Sequence, residues 1–474
     1  MPAELTSIRE ETQLGRHYYY PQASTATGEK VYFEARVESI LGHNTSSQFH
    51  LKLREQHNLI NATIDSHIVG EQSLSEALKL TPETIVRVSG QFRPTEDGKD
   101  TELAIDGYTV IGKAASDLPF KRHHENSNLQ LEERLNNRIL DVRQAASGAI
   151  FKLHSGMCQM IVEFLFSNGF HWVHTPRIIT AAVAGDNEFF NLPYFGRNDI
   201  YLAQSSQHHK QMAISMDMQR VFEIGPVFRA EKKSSTSARH MTEFTVLDIG
   251  MTFEEEYHEV TKMVEDMLVF VLRGLQERKQ FRNLTEIVKK LYPSAREFRI
   301  GLNEKGEVPR ITFMEAKRVL REELGFDAPD NKNFTDAEEA ALGKHFRNST
   351  HLGQTDIFTI DQFPASMRQF NSILRPDGTS NTWDTIIGGR EICSGSQRYN
   401  EYEDVRKALK AGVCGPPMDP DSPQWSVYLN MFKSGMPRHG GVGLGVNRLL
   451  QSYLGLDDVR EVTLFPRDVN RVTP

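Results

Sequence analysis

The stretch that decides the fold reads Val221-Phe222-Glu223-Ile224-Gly225-Pro226-Val227-Phe228-Arg229-Ala230-Glu231. After a polar loop at 232–238 it resumes as Arg239-His240-Met241-Thr242-Glu243-Phe244-Thr245-Val246-Leu247-Asp248. Two apolar runs flank a polar loop, so the pattern predicts a long β-hairpin. Strand spacing puts Arg229 and Glu231 on one face. An arginine held by a rigid strand can meet a phosphate through two parallel hydrogen bonds, and an aromatic residue opposite can stack on a base. Taken alone, the same pattern also fits a solvated hairpin with surface ion pairs.

Two further clusters lie downstream. Gly389-Arg390-Glu391-Ile392-Cys393-Ser394-Gly395-Ser396-Gln397-Arg398 follows Asp384, and Glu391 with Ser394 offers hard oxygen ligands for a magnesium ion on a triphosphate. His439-Gly440-Gly441-Val442-Gly443-Leu444-Gly445-Val446-Asn447-Arg448 is glycine-rich and leads into a helix, with Arg448 near its start. As a dinucleotide fingerprint this third cluster is weak, because no βαβ pattern surrounds it. Upstream, residues 145–167 carry Ile150, Leu153, Met157, Ile161 and Leu165 at helical spacing and stop at Asn168-Gly169. Beyond them strands and helices mix without βαβ regularity, which predicts an α+β domain with an antiparallel sheet.

The N-terminal part has a different rhythm. Strand patterns fall at 31–40, 48–54 and 59–64, a helical pattern at 73–80, and strand patterns again at 84–92 and 103–111. Three strands, a helix and two strands is the order of an OB-fold barrel, and also of a small β-barrel serving only as a spacer. The expected organisation is a lead over 1–27, the barrel over 28–112, a polar linker over 113–140 and the α+β domain over 141–474.

Composition narrows the class. The 474 residues carry 55 Lys+Arg against 63 Asp+Glu, a formal charge of −8, which excludes nucleic-acid binding through bulk positive charge but not through a local stripe. With 39% hydrophobic and 25% charged residues the chain has a globular composition. No continuous run approaches the length of a bilayer span, so no membrane segment is expected. Residues 1–16 hold Glu4, Glu10 and Glu11 and no apolar core, so a secretory leader is not expected either. Cys158, Cys393 and Cys414 lie far apart without paired spacing, and are expected to be reduced thiols of an intracellular protein.

In order, content and spacing, the three clusters resemble the signature motifs of class II aminoacyl-tRNA synthetases. The resemblance is specifically to aspartyl-tRNA synthetases of the archaeal and eukaryotic cytosolic type, over about residues 28–474. The 145–167 helix with Phe170-His171-Trp172-Val173-His174-Thr175-Pro176 looks like motif 1, the hairpin like motif 2, and the glycine-rich stretch like motif 3. The resemblance implies a sheet of six or seven antiparallel strands behind an OB barrel, a homodimer, a cytoplasmic location, and no membrane or DNA partner. It implies that ATP, magnesium, aspartate and tRNA are bound.

Carried onto this chain, the resemblance implies that Arg229 meets the α-phosphate and that Phe244 and Arg448 sandwich the adenine. Arg239 and His240 would meet the triphosphate, with Glu231 near the adenine. Asp384, Glu391 and Ser394 would stand on the metal side. Lys210 and Arg398 would read the side-chain carboxylate of aspartate, with Gln207 and Asp248 toward its α-groups. In the barrel, His50, Lys52, Arg54 and Asn61 would contact the anticodon loop.

Departures from the family pattern fall at Ala184, Gly250, Asn447, the segment Arg368-Gln369-Phe370-Asn371, His50 and Asn61. The first two remove carboxylates that the family turns toward the substrate ammonium, which Asp186 or Glu188 could replace from a shifted loop. The leading expectation is an aspartate–tRNA ligase with weakened anticodon discrimination. The alternatives are a synthetase-derived ligase that passes aspartate or a related acid to a non-tRNA acceptor, and a non-catalytic RNA-binding regulator.

Overall fold

The structure, a computed structural model, describes residues 16–17, 28–43, 47–55, 58–95, 100–119, 129–180, 189–231, 240–292, 297–412 and 417–473. It forms two compact units, Met1–Asn126 and Ser127–Pro474.

The first unit is a closed barrel. Strands β1 (Lys30–His43), β2 (Gln48–Glu55) and β3 (Asn58–Asp65) form a meander, helix α1 (Glu71–Ala77) follows, and β4 (Ile85–Pro94) and β5 (Thr101–Gly112) complete the set. The parallel pairing of β3 with β5 and the antiparallel pairing of β4 with β1 close the ring, which is the OB-fold arrangement. Alternation along β2 sends Phe49, Leu51 and Leu53 into a core with Phe33, Phe92 and Leu103. Each such side chain contributes roughly 1.5–3 kcal/mol by leaving water. His50 and Lys52 are left on the other face, where Lys52 pairs with the exposed Asn61.

Arg54 departs from the expectation. It is only 3% exposed, and its guanidinium donates to Glu38 at 2.8 Å and to Glu83 at 2.5 Å. Glu38 is the extra residue where the β1–β2 register shifts between Val37 and Ser39, and such a bulge re-aims a side chain. Arg54 is thus a buried cation shared by two carboxylates and is closed to a phosphate. Replacing Arg54 by Met should destabilise the protein by about 3–5 kcal/mol, because two carboxylates stay buried without their cation. Lys52→Ala should stay within about 0.5 kcal/mol of the parent. Urea unfolding of the whole chain measures both, and an unshifted midpoint for Arg54→Met would refute the buried role.

The second unit is built on an eight-stranded sheet. Its elements are helix α2 (Ala145–Ser167), helix α3 (Gln207–Ser215), strands β6 (Arg220–Phe228) and β7 (Glu243–Thr252), and helix α4 (His258–Glu277). Strands β8 (Ile357–Asp361), β9 (Thr382–Ile387), β10 (Arg390–Arg398) and β11 (His439–Gly445) and helix α5 (Val446–Leu454) follow. Six strands run antiparallel in the order β8-β9-β10-β11-β7-β6. Short parallel strands, Arg310–Thr312 and His171–Trp172, add to the two edges. The sheet therefore exceeds the expected six or seven strands by these edge additions.

The expectation that no segment spans a membrane meets one borderline helix, α2. It has 23 residues and an apolar window of mean hydropathy 1.2, enough by length and composition to cross a bilayer. Its Ile150, Leu153, Met157, Met160, Ile161 and Leu165 instead form the core with α4 and the sheet. Gly156 lies against the Phe281 ring and Gly274 of α4 against Met160, contacts that leave no room for a Cβ. Tight helix packing through glycine explains the helix without a membrane.

The end of the chain is fastened to the start of this unit. Arg138, 3% exposed, donates to the carbonyls of Arg460, Glu461, Thr463 and Leu464 and pairs with the fully buried Asp141. A few residues on, Arg467 accepts the Thr242 N–H at 2.9 Å and bridges to Glu243. The C-terminal segment thereby braces the base of the β6–β7 hairpin.

Candidate active site

A cavity of about 470 Å³ is walled by β7, β10, β11, α3, the start of α5, the segment after β6 and the segment around Arg368. It gathers Gln207, Lys210, Arg229, Glu231, His240, Phe244, Asp248, Glu391, Ser394, Arg398 and Arg448 from widely separated positions. Of the other candidates in this unit, Arg239 lies outside the described residues, and Asp384, not on the wall, stands on β9 opposite Ser394. The loop at 181–188, with Ala184, Asp186 and Glu188, also lies outside them.

At one end stand the groups suited to a nucleotide. β6 stops at Phe228, so Arg229 and Glu231 follow the strand, and strand alternation is not what orients them. Arg229 is held instead by its N–H to the Thr242 carbonyl, with its guanidinium carbon 5.4 Å from the Phe244 ring centroid. Arg448 sits in the first turn of α5. Asn447 beside it accepts the Thr245 N–H at 3.1 Å and donates to Thr463 Oγ1 at 3.1 Å. The Asn447 amide thereby fastens β7 next to Phe244, where Thr245 lies opposite Pro226. Burial pulls the His240 pKa below the ordinary histidine value, and the Arg448 and Arg229 charges add to this against Glu231.

At the other end lies a pocket of buried charge. Lys210 Nζ donates to Asp248 Oδ1 at 2.9 Å and to the Ile249 carbonyl at 3.2 Å. Asp248 Oδ2 accepts from the Ser206 N–H at 3.0 Å and hydroxyl at 2.7 Å. Burial alone would raise the Asp248 pKa, but Lys210 and Ser206 outweigh it and hold it low. Among the described residues Arg398 has no carboxylate partner. Its guanidinium donates to the Asn371 amide oxygen at 2.6 Å, and burial draws its pKa down to about 10.

Behind these cations runs a neutral chain that the sequence did not reveal. His439 Nδ1 is 2.9 Å from the Pro437 carbonyl and therefore carries the proton, which leaves Nε2 to accept from Gln211 at 2.9 Å. Gln211 accepts from the Tyr428 hydroxyl at 3.1 Å. Burial lowers the His439 pKa to about 4, so the ring is neutral at physiological pH. Gly250 lies against Ile214, Val221 and the Cβ of Lys210 in the same wall.

On the metal side, Arg368 is the residue that sequence reasoning missed. It donates to Asp384 Oδ2 at 2.6 Å and to Ser394 Oγ at 3.0 Å, stacked with its guanidinium carbon 3.6 Å from the Phe363 centroid. Its one sequence signal was that its segment departs from the family pattern. The Asp384 charge, then burial, then Glu339 raise the Glu391 pKa above the usual carboxylate range. Asp384 Oδ1 is buried without a hydrogen-bond partner. Among the described residues no three His, Cys, Asp or Glu side chains group as a metal-ligand set.

The Lys210–Asp248 pair yields a direct test. Lys210→Met should cost about 3–5 kcal/mol of stability, since Asp248 would remain buried and unpaired. Adding Asp248→Asn should recover most of that loss. Denaturant unfolding of the two variants checks this, and a single variant as stable as the parent would contradict the pairing.

Residues 130–469 match the family model described as tRNA synthetases class II (D, K and N). The cytoplasmic aspartate–tRNA ligase of Bos taurus is 34% identical over 469 residues, covering 94% of this chain and 89% of its own. The aspartate–tRNA(Asp/Asn) ligase of Methanopyrus kandleri is 33% identical, covering 89% and 91%. Among solved structures, the aspartyl tRNA synthetase from Entamoeba histolytica superposes with a TM-score of 0.83 at 29% identity, over 98% of this chain and 94% of that one. The asparaginyl-tRNA synthetase from Pyrococcus horikoshii, solved with asparaginyl-adenylate, gives 0.82 at 27% identity over 97% and 100%. With the hairpin, the carboxylate strand and the glycine-rich strand converging on one cavity, the chain belongs to the class II tRNA synthetases (D, K and N).

Proposed function

We propose that the protein is an aspartate–tRNA ligase of the cytoplasm, which forms aspartyl-adenylate from aspartate and ATP and transfers the aspartyl group to tRNA. The observation that carries the choice of acid is Arg398, a buried cation in the cavity wall with no carboxylate partner. With Asp248 committed to Lys210, the pocket holds one more positive charge than negative. An anionic side chain corrects that imbalance, and an amide leaves the cation desolvated and unpaired.

In the first step an α-carboxylate oxygen of aspartate bonds to the α-phosphorus of ATP while the bond to pyrophosphate breaks. No side chain needs to abstract a proton, because the attacking group is already an anion. Arg229 stabilises charge growing on the α-phosphate, and Phe244 and Arg448 hold the adenine between them. In the second step a terminal ribose hydroxyl of tRNA bonds to the acyl carbon and gives up its proton to the departing phosphate, and AMP leaves with the electron pair of the broken acyl–phosphate bond. Asp384, Glu391 and Ser394 are the residues that would hold a magnesium ion: Asp384 lies opposite Ser394 across the strand pair, and its buried Oδ1 has no hydrogen-bond partner among the described residues. When bound, the ion neutralises triphosphate charge.

His50, Lys52 and Asn61 share the outer face of the barrel, where a stacking ring, an ammonium and an amide suit an anticodon loop. Arg54 takes no part. The shorter reach of Asn61 and the smaller ring of His50 favour loose anticodon discrimination. A homodimer accounts for the exposure of Phe166 at the end of α2 and of Trp172 on the edge strand, 54% and 39%. Transfer to a non-tRNA acceptor is not favoured, since aspartate–tRNA ligases match across 94% of the chain.

The deciding experiment is pyrophosphate exchange with aspartate or asparagine, followed by charging of an aspartate-accepting transcript. Exchange should favour aspartate, and the transcript should be charged, with a modest loss when its anticodon is altered. Exchange without charging of any transcript would overturn the tRNA reading. Arg229→Ala should lower the exchange rate by about 10²–10³, as for loss of one donor to a developing anion. Arg229→Lys should restore only part, lacking the planar fork.

A further inference from the structure

Asn371 is 1% exposed and stands behind Arg398, away from the cavity wall. A guanidinium only donates, so the amide oxygen must face it, and the 2.6 Å contact is the one hydrogen bond Arg398 makes to another side chain. The Asn371 amide nitrogen approaches the Tyr428 hydroxyl without reaching hydrogen-bond geometry. Arg398 Nε is likewise buried without a partner. Here a neutral amide supports a buried cation where a carboxylate of the same size would fit. Lys210, in the same cavity, has the opposite arrangement, with Asp248 bonded to its ammonium.

We propose that Asn371 is a specificity-determining positioning residue: its neutrality keeps Arg398 uncompensated, so that the pocket selects an acid with an anionic side chain over its amide. The inference rests on the aspartate reading above and adds the residue that enforces it. The charge count makes the mechanism explicit. Lys210, Arg398 and Asp248 leave one net positive charge, which an aspartate side chain cancels. A carboxylate at position 371 would cancel it in advance, and incoming aspartate would then bring an uncompensated buried anion. Asparagine would meet no such opposition, so the substitution acts by repulsion as well as by lost attraction.

The test is pyrophosphate exchange with aspartate and with asparagine for the parent, Asn371→Asp and Asn371→Leu, each checked for folding by thermal unfolding. The carboxylate variant should lower the aspartate-to-asparagine ratio in kcat/KM by about a hundredfold or more, chiefly through the aspartate KM. Asn371→Leu removes the oxygen but leaves Arg398 charged. It should raise the aspartate KM while keeping aspartate preferred. A purely structural residue would weaken both acids alike in both variants, and that result overturns the proposal. So does an unchanged ratio in Asn371→Asp. Should that variant not fold, Asn371→Leu decides: loss of its aspartate preference refutes the role assigned to charge. A parent that exchanges neither acid, or both equally, fails at the level of the proposed function and takes this inference with it. A parent that prefers aspartate beside an unaltered Asn371→Asp sinks the inference alone.

Discussion

Lys210 and Asp248 neutralise each other in the floor of the cavity, and Arg398 a short way off is left with an amide for company. Desolvated charges of this kind are costly unless matched, so the pocket is poised to accept one anion and little else. Its remaining polar groups are held neutral. His439 is fixed as the Nδ1 tautomer by a backbone carbonyl, and Gln211 and Tyr428 satisfy one another. The cavity thus separates a selective, buried acid pocket from a more open, cationic end formed by Arg229 and Arg448.

The scaffold serves this arrangement through close packing. β11 is crowded between β10 and β7: a Cβ at Gly440 would come within 3.0 Å of Val260, and one at Gly441 within 3.0 Å of the Ile249 carbonyl. Glycine there avoids a tight contact with the neighbouring protein, whatever the ligand does. The hairpin that carries Arg229 and Phe244 is fastened from outside the sheet. Asn447 holds Thr245 from α5, Arg467 pairs with the hairpin base, and Arg138 clamps the segment from which Arg467 comes. Residues at both ends of the second unit therefore share in fixing the cavity wall that carries Arg229 and Phe244.

The barrel shows a different use of buried charge. Arg54 joins β2 to Glu38 on β1 and to Glu83 before β4, three points that the hydrophobic core alone would leave free to slide. Ion pairs of this type contribute registration more than net stability. That role removes Arg54 from the face on which His50, Lys52 and Asn61 remain.

The sequence by itself determined the element order of the barrel, the α2 helix to the residue, the hairpin, and the family, because period-two and helical spacing and three motifs in order are local properties of the chain. It also named eleven residues that the cavity brings together. What it left undecided depends on contacts between distant segments. The bulge at Glu38 that buries Arg54, the guanidinium of Arg368 over Asp384 and Ser394, and the amide of Asn371 behind Arg398 join residues separated by 16 or more positions. Apolar composition suggested nothing unusual about α2, yet only the packing of Gly156 and Gly274 made it a core helix. Charges likewise are visible in sequence as residue types. Which of them are paired, and which are not, is settled by the tertiary structure, since a partner a few ångströms away decides whether a buried charge is compensated.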